Sequence, residues 1–283
     1  MRAEFFGPTR QRVPVIGQGT WDVPERGAAR KEAIAAIRRG IELGMTHLDT
    51  AEMYGAGEAE RILAEAIANV PREQLFITSK VLPEHATFKG TIAACEASLR
   101  RLKIDALDLF LLHWPGPHPL DETMRALETL VQQGKTRLVG VSNFDVDEMQ
   151  QAASYLREVP LACNQVLYHL RERGIENRLI PAARLANIAI VGYTPFGRGE
   201  FPRAAAKSDG VLGRIAEKHG TTPRAVILAF LTRDHGLFTI PKASHVAHVE
   251  ENARAGSLQL ADEDIAAIDR TFPVGADAPL ASL

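Results

Sequence analysis

The sequence predicts an α/β protein with the (β/α)8 architecture of a TIM barrel, and three observations support this prediction. Eight short apolar runs alternate with helical patterns along the chain. The runs are continuously apolar rather than alternating, which is typical of parallel strands that are buried on both faces. Eight strand–helix units within 283 residues match the size of a closed barrel. An open, doubly wound sheet is the alternative that the same alternation allows.

The predicted strands are the eight apolar runs, which occupy residues 15–19, 46–49, 75–79, 107–113, 138–142, 162–167, 189–193 and 237–240. Helices are predicted between them, where apolar residues recur at helical spacing. Ile34 and Ile37 share one such face, and Gly44 is placed to end that helix. In a later helix, Asp121 is the predicted N-cap and Gly134 the predicted stop.

The chain is predicted to form one domain over residues 1–283, because no linker rich in Pro, Gly or Ser interrupts the alternation. Residues 1–14 are expected to cap the barrel, and residues 272–283 to form a tail over its surface. A net charge of −2 gives no reason to expect nucleic acid as a partner. Short apolar runs and the lack of a secretion signal favour a cytoplasmic protein without a membrane span. A monomer is the default expectation.

Polar residues at the carboxyl ends of the predicted strands are the candidates for function, because barrel active sites form there. Asp49 ends the second strand and Tyr54 follows it, Lys80 follows the third strand, and His113 ends the fourth. Taken singly, Asp49 and Lys80 could be a structural ion pair, Tyr54 a packing residue and His113 a satisfied core histidine. Their occurrence on adjacent strands favours one shared site.

These four side chains can polarise a carbonyl group and deliver a proton to its oxygen. A phenol with a pKa of about 10 is a poor acid alone. The Lys80 ammonium is expected to lower the pKa of Tyr54 by about one to three units. Asp49 would hold Lys80 charged, and His113 would hydrogen-bond the carbonyl oxygen. Because such a site supplies no hydride, a nicotinamide cofactor is required.

Seven segments resemble, in order, the successive motifs of the aldo-keto reductase family: LDTAEMYG (48–55), TSK (78–80), LLHWP (111–115), GVSNF (140–144), NQVLYH (164–169), GYTPF (192–196) and IPKAS (240–244). The resemblance runs from about Gly17 to Asn252. It implies a TIM-barrel reductase of small aldehydes or ketones. Its catalytic residues would be Asp49, Lys80, His113 and Tyr54, the proton donor. Residues 95–102 and 247–252 further resemble the bacterial branch that reduces methylglyoxal.

The resemblance also implies the residues that contact the cofactor. From the nicotinamide to the adenosine end, they are Gly19, Thr20, Trp21, Asp49, Ser142, Asn143, Gln165, Tyr193, Thr194, Pro195, Phe196, Lys242, Ser244, His248, Glu251 and Asn252. Trp21, His113 and Trp114 are expected to wall the substrate pocket.

Three positions depart from the family pattern. Thr194 and Phe196 stand where serine and leucine are usual, and the bulkier Phe196 is expected to reshape its loop. His248 stands where many members have an arginine for the 2′-phosphate, and imidazole is a weaker phosphate partner. Lys242 remains, so NADPH is the expected cofactor and NADH the alternative.

Other site chemistry has less support. Cys95 and Cys163 lack the spacing of a thiolate zinc site, and His245 and His248 alone do not make a metal site, so no metal is predicted. A Schiff-base aldolase using Lys80 is one rival function, but it leaves Tyr54 unexplained. A nucleotide-sensing binding protein with little catalysis is the other, and the complete set of four catalytic residues argues against it. The natural substrate is not predictable from these motifs.

Overall fold

The structure is a computed structural model that describes residues 1–199, 210–276 and 278–282. Its strands are β1 (Ala3–Phe5), β2 (Arg12–Pro14), β3 (Gln18–Gly19), β4 (His47–Asp49), β5 (Phe76–Val81), β6 (Leu107–Leu112), β7 (Thr136–Ser142), β8 (Leu161–Leu167), β9 (Ala189–Tyr193) and β10 (Leu237–Thr239). Its α-helices are α1 (Gly27–Glu42), α2 (Glu58–Ile67), α3 (Phe88–Leu102), α4 (Leu120–Gln132), α5 (Val146–Tyr155), α6 (Leu179–Leu185), α7 (Gly210–Lys218), α8 (Pro223–Leu231), α9 (Val246–Arg254) and α10 (Asp262–Thr271). Each predicted strand overlaps one of β3–β10, although β3 covers only two of the five residues predicted for the first strand.

Strands β3 to β10 form one parallel eight-stranded sheet in chain order. The two edges of this sheet meet, because Ile16 pairs with Thr239 and Gly19 pairs with Lys242. The Gly17 amide donates to the Thr239 carbonyl oxygen at 2.8 Å across the same seam. The sheet therefore closes into a barrel, which confirms the (β/α)8 prediction and excludes the open doubly wound sheet.

The N-terminal residues cap the barrel as predicted. Strands β1 and β2 pair antiparallel as a hairpin. Phe6 follows β1, and the centre of its ring lies 4.8 Å from that of Phe76 and 4.9 Å from that of Phe238. His47 approaches the same phenyl ring edge-on at 6.0 Å. These aromatic side chains close the amino end of the barrel, so the opposite end is the one left open.

The helices follow the predicted pattern, with one correction. Gly44 and Gly134 have left-handed backbone angles, with φ of 88° and 70°, as expected for glycines that end helices. Asp121 is not an N-cap, because α4 already begins at Leu120 after Pro119. Pro119 occupies the N-cap position of this helix, and Asp121 lies in its first turn, where a carboxylate suits the helix dipole.

The helices pack around the barrel and share one buried apolar cluster with it. Ile37 of α1 and Leu127 of α4 belong to the same cluster as Leu48, Leu109 and Val191 of the strands. The C-terminal tail contains neither helix nor strand in residues 273–276 and 278–282, and residues 277 and 283 lie outside the described ranges. Among the described helices, none is both long and apolar enough to cross a membrane.

Candidate active site

A cleft of about 500 Å³ opens at the carboxyl ends of the barrel strands. Most of the predicted site residues line it: Gly19, Trp21, Asp49, Tyr54, His113, Trp114, Ser142, Asn143, Gln165, Tyr193, Thr194, Pro195, Phe196 and Lys242. These residues come from seven strand ends or the loops that follow them. They are spread along the sequence from Gly19 to Lys242. The barrel therefore gathers them into one site.

Strand register explains which side chains meet. Parallel pairing places Gly19 beside Asp49 and Asp49 beside Thr78. Because side chains alternate along a strand, Lys80 faces the same side as Thr78, and Ser79 faces the opposite side. Ser79 instead donates a hydrogen bond to the buried Glu60 of α2 at 2.7 Å. Only alternate residues at the end of β5 therefore belong to the site.

The buried Lys80 ammonium joins the central residues of the site. It donates to the Asp49 carboxylate at 2.5 Å, to the Thr50 carbonyl oxygen at 2.9 Å and to the Tyr54 hydroxyl at 3.2 Å. The second oxygen of Asp49 accepts a hydrogen bond from the Gln165 amide at 2.7 Å. Three acceptors use all three protons of the ammonium, so its position is fixed.

The electrostatics of this group differ in one respect from the sequence prediction. Burial works to lower the pKa of Lys80, but the Asp49 carboxylate and Tyr54 outweigh it and raise that pKa above its ordinary value. Burial raises the pKa of Tyr54, and this effect exceeds the opposing influence of the Lys80 ammonium. The prediction of a lowered pKa was therefore wrong for this cleft, because it considered the ammonium and not the loss of solvation. Tyr54 keeps its proton as a phenol.

A charged, fully hydrogen-bonded Lys80 also bears on the aldolase alternative. Schiff-base formation requires a neutral amine that is free to attack a carbonyl carbon. Lys80 has all its protons engaged and a raised pKa. This geometry argues against the aldolase.

His113 is held as a neutral imidazole beside Tyr54. Burial, assisted by the nearby Lys80 ammonium, lowers the pKa of His113 well below its ordinary value. The ring centres of His113 and Tyr54 lie 5.7 Å apart. The imidazole also stacks on Trp114 at 3.9 Å, which restrains its orientation. A neutral imidazole can donate one hydrogen bond to a ligand oxygen and accept another at its second nitrogen.

A hydrogen-bond network joins the carboxyl ends of β6, β7, β8 and β9 at the cleft. The Tyr193 hydroxyl donates to the Asn143 carbonyl oxygen at 2.7 Å, and the Asn143 amide donates to the His113 backbone oxygen at 3.1 Å. The Ser142 hydroxyl donates to the backbone oxygen of Gln165 at 2.8 Å. This network fixes the Asn143 amide and the Ser142 and Tyr193 hydroxyls at the cleft, which suits a ligand that carries a carboxamide.

Backbone strain is concentrated at this cleft. Of the seven non-glycine residues with left-handed backbone angles in the described ranges, four line it: Asp22, Asn143, Thr194 and Arg198. A β-branched residue such as Thr194, with φ of 55°, rarely adopts this conformation. Such strain persists where the surrounding structure imposes it, and it is common at functional sites.

Several lining residues were missed by sequence reasoning. They are Asp22, Met53, Arg198, Gly199, Arg224 and Ile240. The Arg198 guanidinium lies 5.4 Å from the centre of a Trp21 ring, and that of Arg224 lies 4.8 Å from the centre of the Phe196 ring. Neither arginine stands at a strand end, so the strand-end criterion could not find them.

The remaining predicted cofactor residues lie outside this cleft. The buried Thr20 donates from its hydroxyl to the Asp49 backbone oxygen at 3.0 Å. Ser244 and Asn252, before and within α9, are buried. Among the described residues, the Ser244 hydroxyl and the Asn252 side-chain carbonyl oxygen have no hydrogen-bond partner. His248 is exposed and Glu251 is half-buried. Buried polar atoms without partners are costly unless a ligand satisfies them, so this region fits the adenosine end of a nicotinamide nucleotide.

Metal-binding side chains do not cluster in the described part of the chain. No group of three His, Cys, Asp or Glu residues there could hold an ion. His245 instead contacts Glu32 of α1 at 2.6 Å. Cys95 and Cys163 are buried free thiols.

Comparisons with known proteins point to one enzyme family. The model of the Aldo/keto reductase family matches residues 15–272. The chain is similar to methylglyoxal reductase YeaE of Escherichia coli, with 42% identity over 92% of each chain. It is also similar to the glyoxal reductase of Bacillus subtilis, with 36% identity over 91% of this chain and 88% of the relative. A crystal structure of an aldo-keto reductase from Klebsiella pneumoniae in complex with NADPH covers all of both chains, with 39% identity and a TM-score of 0.92.

Proposed function

Because the chain belongs to the aldo/keto reductase family, we propose that it uses NADPH to reduce small aldehydes to alcohols, including 2-oxoaldehydes such as methylglyoxal. NADPH-dependent carbonyl reduction is the activity that the family match and its nucleotide-bound relatives support. The observation that carries the proposal is geometric: the Tyr54 hydroxyl lies in the cleft beside the His113 ring and accepts a hydrogen bond at 3.2 Å from the buried Lys80 ammonium behind it.

The four central residues divide the work of carbonyl reduction. NADPH, when bound, supplies the hydride that the carbonyl carbon receives. His113 donates a hydrogen bond that orients the carbonyl oxygen and withdraws electron density from it. Tyr54 transfers its phenolic proton to that oxygen as negative charge develops. The phenolate that remains is stabilised by Lys80, which Asp49 keeps charged, until Tyr54 regains a proton from solvent.

The other predicted residues are proposed to hold the cofactor. Ser142, Asn143 and Gln165 present polar groups to a carboxamide, and Tyr193 offers a ring for stacking. The loop from Thr194 to Phe196 is proposed to cover the diphosphate. Gly19, Thr20, Trp21 and Asp49 are proposed to lie beside the nicotinamide, and Lys242, Ser244, His248, Glu251 and Asn252 to bind the adenosine end.

Small substrates are supported by the walls of the cleft. Trp21 and Trp114 line the same cleft as Tyr54 and His113 and add apolar surface to it. A volume of about 500 Å³ must accommodate the nicotinamide end of the cofactor as well as the substrate. The relatives named as methylglyoxal and glyoxal reductases support aldehydes of two or three carbons.

A Tyr54→Phe variant tests the proposal. Loss of the phenolic proton should lower kcat with methylglyoxal by about a hundredfold to ten-thousandfold. Affinity for NADPH should stay within about threefold of wild type, because the nucleotide residues are unchanged. Steady-state loss of NADPH absorbance measures the first quantity, and quenching of protein fluorescence measures the second. Near-normal turnover in the variant would refute Tyr54 as the acid.

We also propose that residues 1–283 form one domain that works as a monomer in the cytoplasm without binding nucleic acid. The two cysteines are free thiols, as is usual for proteins of a reducing compartment. A net charge of −2 supports the absence of nucleic-acid binding.

A further inference from the structure

Arg224 brings a positive charge to the cleft from the first turn of α8. It lines the same cleft as Pro195, Phe196 and Lys242. Its side chain is half-buried, and its guanidinium carbon lies 4.8 Å from the centre of the Phe196 ring. Because Phe196 is only 6% exposed, this ring is a firm platform that holds the guanidinium at one place.

The charge of Arg224 is available to a ligand. In the part of the chain that the structure describes, no carboxylate lies within ion-pair distance of it. Other half-buried or buried arginines differ, since Arg173 and Arg233 contact the Glu176 carboxylate at 2.7 Å and 2.9 Å. A guanidinium that stacks on a ring keeps its N–H donors in the plane of the group, where they can bind an anion.

The surroundings of Arg224 add to the positive potential. Thr222 caps α8 by accepting a hydrogen bond from the Ala225 amide at 3.3 Å, and Pro223 occupies the first helical position. The amino end of this nine-residue helix carries a partial positive charge. Lys242 supplies a second cation to the cleft. Arg224 at the amino end of α8 therefore favours a group with negative charge.

We propose that Arg224 binds a phosphate group of the nicotinamide nucleotide and that Phe196 orients it for this contact. The inference rests on the proposed function, which defines the ligand. It also gives a role to Phe196, whose bulk supplies the platform for the guanidinium. The shared chemistry is a phosphate, which belongs either to the diphosphate present in both NADPH and NADH or to the 2′-phosphate present only in NADPH.

Nucleotide titration of matched variants tests this inference. Both tryptophans of the chain, Trp21 and Trp114, line the cleft, so quenching of protein fluorescence reports binding directly. Arg224→Met removes the charge and keeps an unbranched apolar chain on Phe196, while Phe196→Leu removes the platform and keeps the charge. Arg214→Met serves as the control, because Arg214 is exposed on α7 and does not line the cleft.

We expect Arg224→Met to weaken NADPH binding by about tenfold or more, as for loss of a charged hydrogen bond. Phe196→Leu should weaken it by about threefold. Equal losses for NADPH and NADH would place Arg224 on the diphosphate, and a loss for NADPH alone would place it on the 2′-phosphate. Each of these two results supports the proposal.

Three outcomes would overturn the inference. Dissociation constants of Arg224→Met within twofold of wild type for both nucleotides would show that Arg224 contacts no phosphate. A loss of similar size in Arg214→Met would show a general effect of net charge. If wild type itself bound neither nucleotide, the proposed function would fail together with the inference, and this result is distinct from the other two.

Discussion

The two ends of β4 show two ways of burying an ionisable side chain inside one barrel. His47 and Asp49 are two residues apart on the same strand, so they face the same side, and both are buried. At the capped end, rings of Phe6, Phe76 and Phe238 surround His47. At the open end, Asp49 contacts the Lys80 ammonium. The barrel thus surrounds His47 with aromatic rings and pairs Asp49 with a cation. Of the two, only Asp49 lies at the cleft.

The ionisable group at the capped end is neutral, whereas the group next to Tyr54 at the open end is charged. Burial lowers the pKa of His47 to about 4, so its imidazole is neutral at physiological pH. Asp49 raises the pKa of Lys80 against the effect of burial, so the ammonium persists beside Tyr54. An isolated buried charge is costly, and a buried pair is tolerated when hydrogen bonds satisfy both partners. Replacing Lys80 at the open end should therefore lower the free energy of unfolding more than replacing His47 at the capped end.

The largest effect is expected from Lys80→Met, which leaves Asp49 buried without its cation. We expect the free energy of unfolding to fall by about 3–5 kcal/mol and turnover to fall at least a hundredfold. Urea denaturation measures the first quantity and NADPH consumption the second.

The double variant Asp49→Asn with Lys80→Met is the control for this change. With both charges removed, most of the lost stability should return, while turnover should stay low because no ammonium supports Tyr54. If Lys80→Met alone unfolded at the same urea concentration as wild type, the pair would not be the source of stability at this end of the barrel.

An intermediate effect is expected at the capped end and depends on pH. An imidazole that titrates near 6.5 when unfolded and near 4 when folded binds more protons in the unfolded state between these values. Stability should therefore decrease as the pH falls from 7 towards 4, by about 3 kcal/mol from this group. In His47→Leu this part of the decrease should be absent, while the contribution of His113 remains.

Urea midpoints at a series of pH values between 4 and 7 measure this prediction. His235→Gln is the matched control, because His235 is an exposed histidine near the same end of the barrel. It should keep the pH dependence of wild type. If the urea midpoint of His47→Leu fell with pH as steeply as that of wild type, the loss of stability in acid would arise from other groups.

The smallest effect is expected at the exposed edge of the open end, where solvent screens charge. His248→Arg adds a permanent cation near Ser244 and Asn252, in the region proposed for the adenosine end. We expect NADPH to bind about three- to tenfold more tightly and NADH to bind as before. Fluorescence titration with both nucleotides measures this, and equal constants for NADPH before and after the change would remove His248 from the phosphate site.

Much of the fold and the centre of the site could be predicted from the sequence because they depend on local patterns. Continuous apolar runs identify strands, and parallel strands bring their carboxyl ends to one edge. Asp49, Lys80 and His113 follow from that rule alone. The closing seam between β3 and β10 could not be predicted in detail, since β3 has only two residues.

Other features depend on three-dimensional surroundings that no short pattern encodes. The raised pKa of Tyr54 reflects how far its hydroxyl is removed from water, which the neighbouring lysine does not reveal. The left-handed backbone of Thr194 and Arg198 is not visible from residue type, because neither threonine nor arginine favours it. Arg224 reaches the cleft from a helix, so a search limited to strand ends passes over it.

The seam of the barrel also affects how the protein is made. Gly19 and Lys242 are neighbours across this seam, although most of the chain separates them in sequence. During synthesis the first of these residues leaves the ribosome long before the second, and contacts of such long sequence separation form slowly. A nascent chain that ends before β10 therefore carries Asp49, Tyr54, Lys80 and His113 without Lys242, which belongs to the site proposed for the nucleotide. We expect that proposed site to be complete only after β10 has been synthesised.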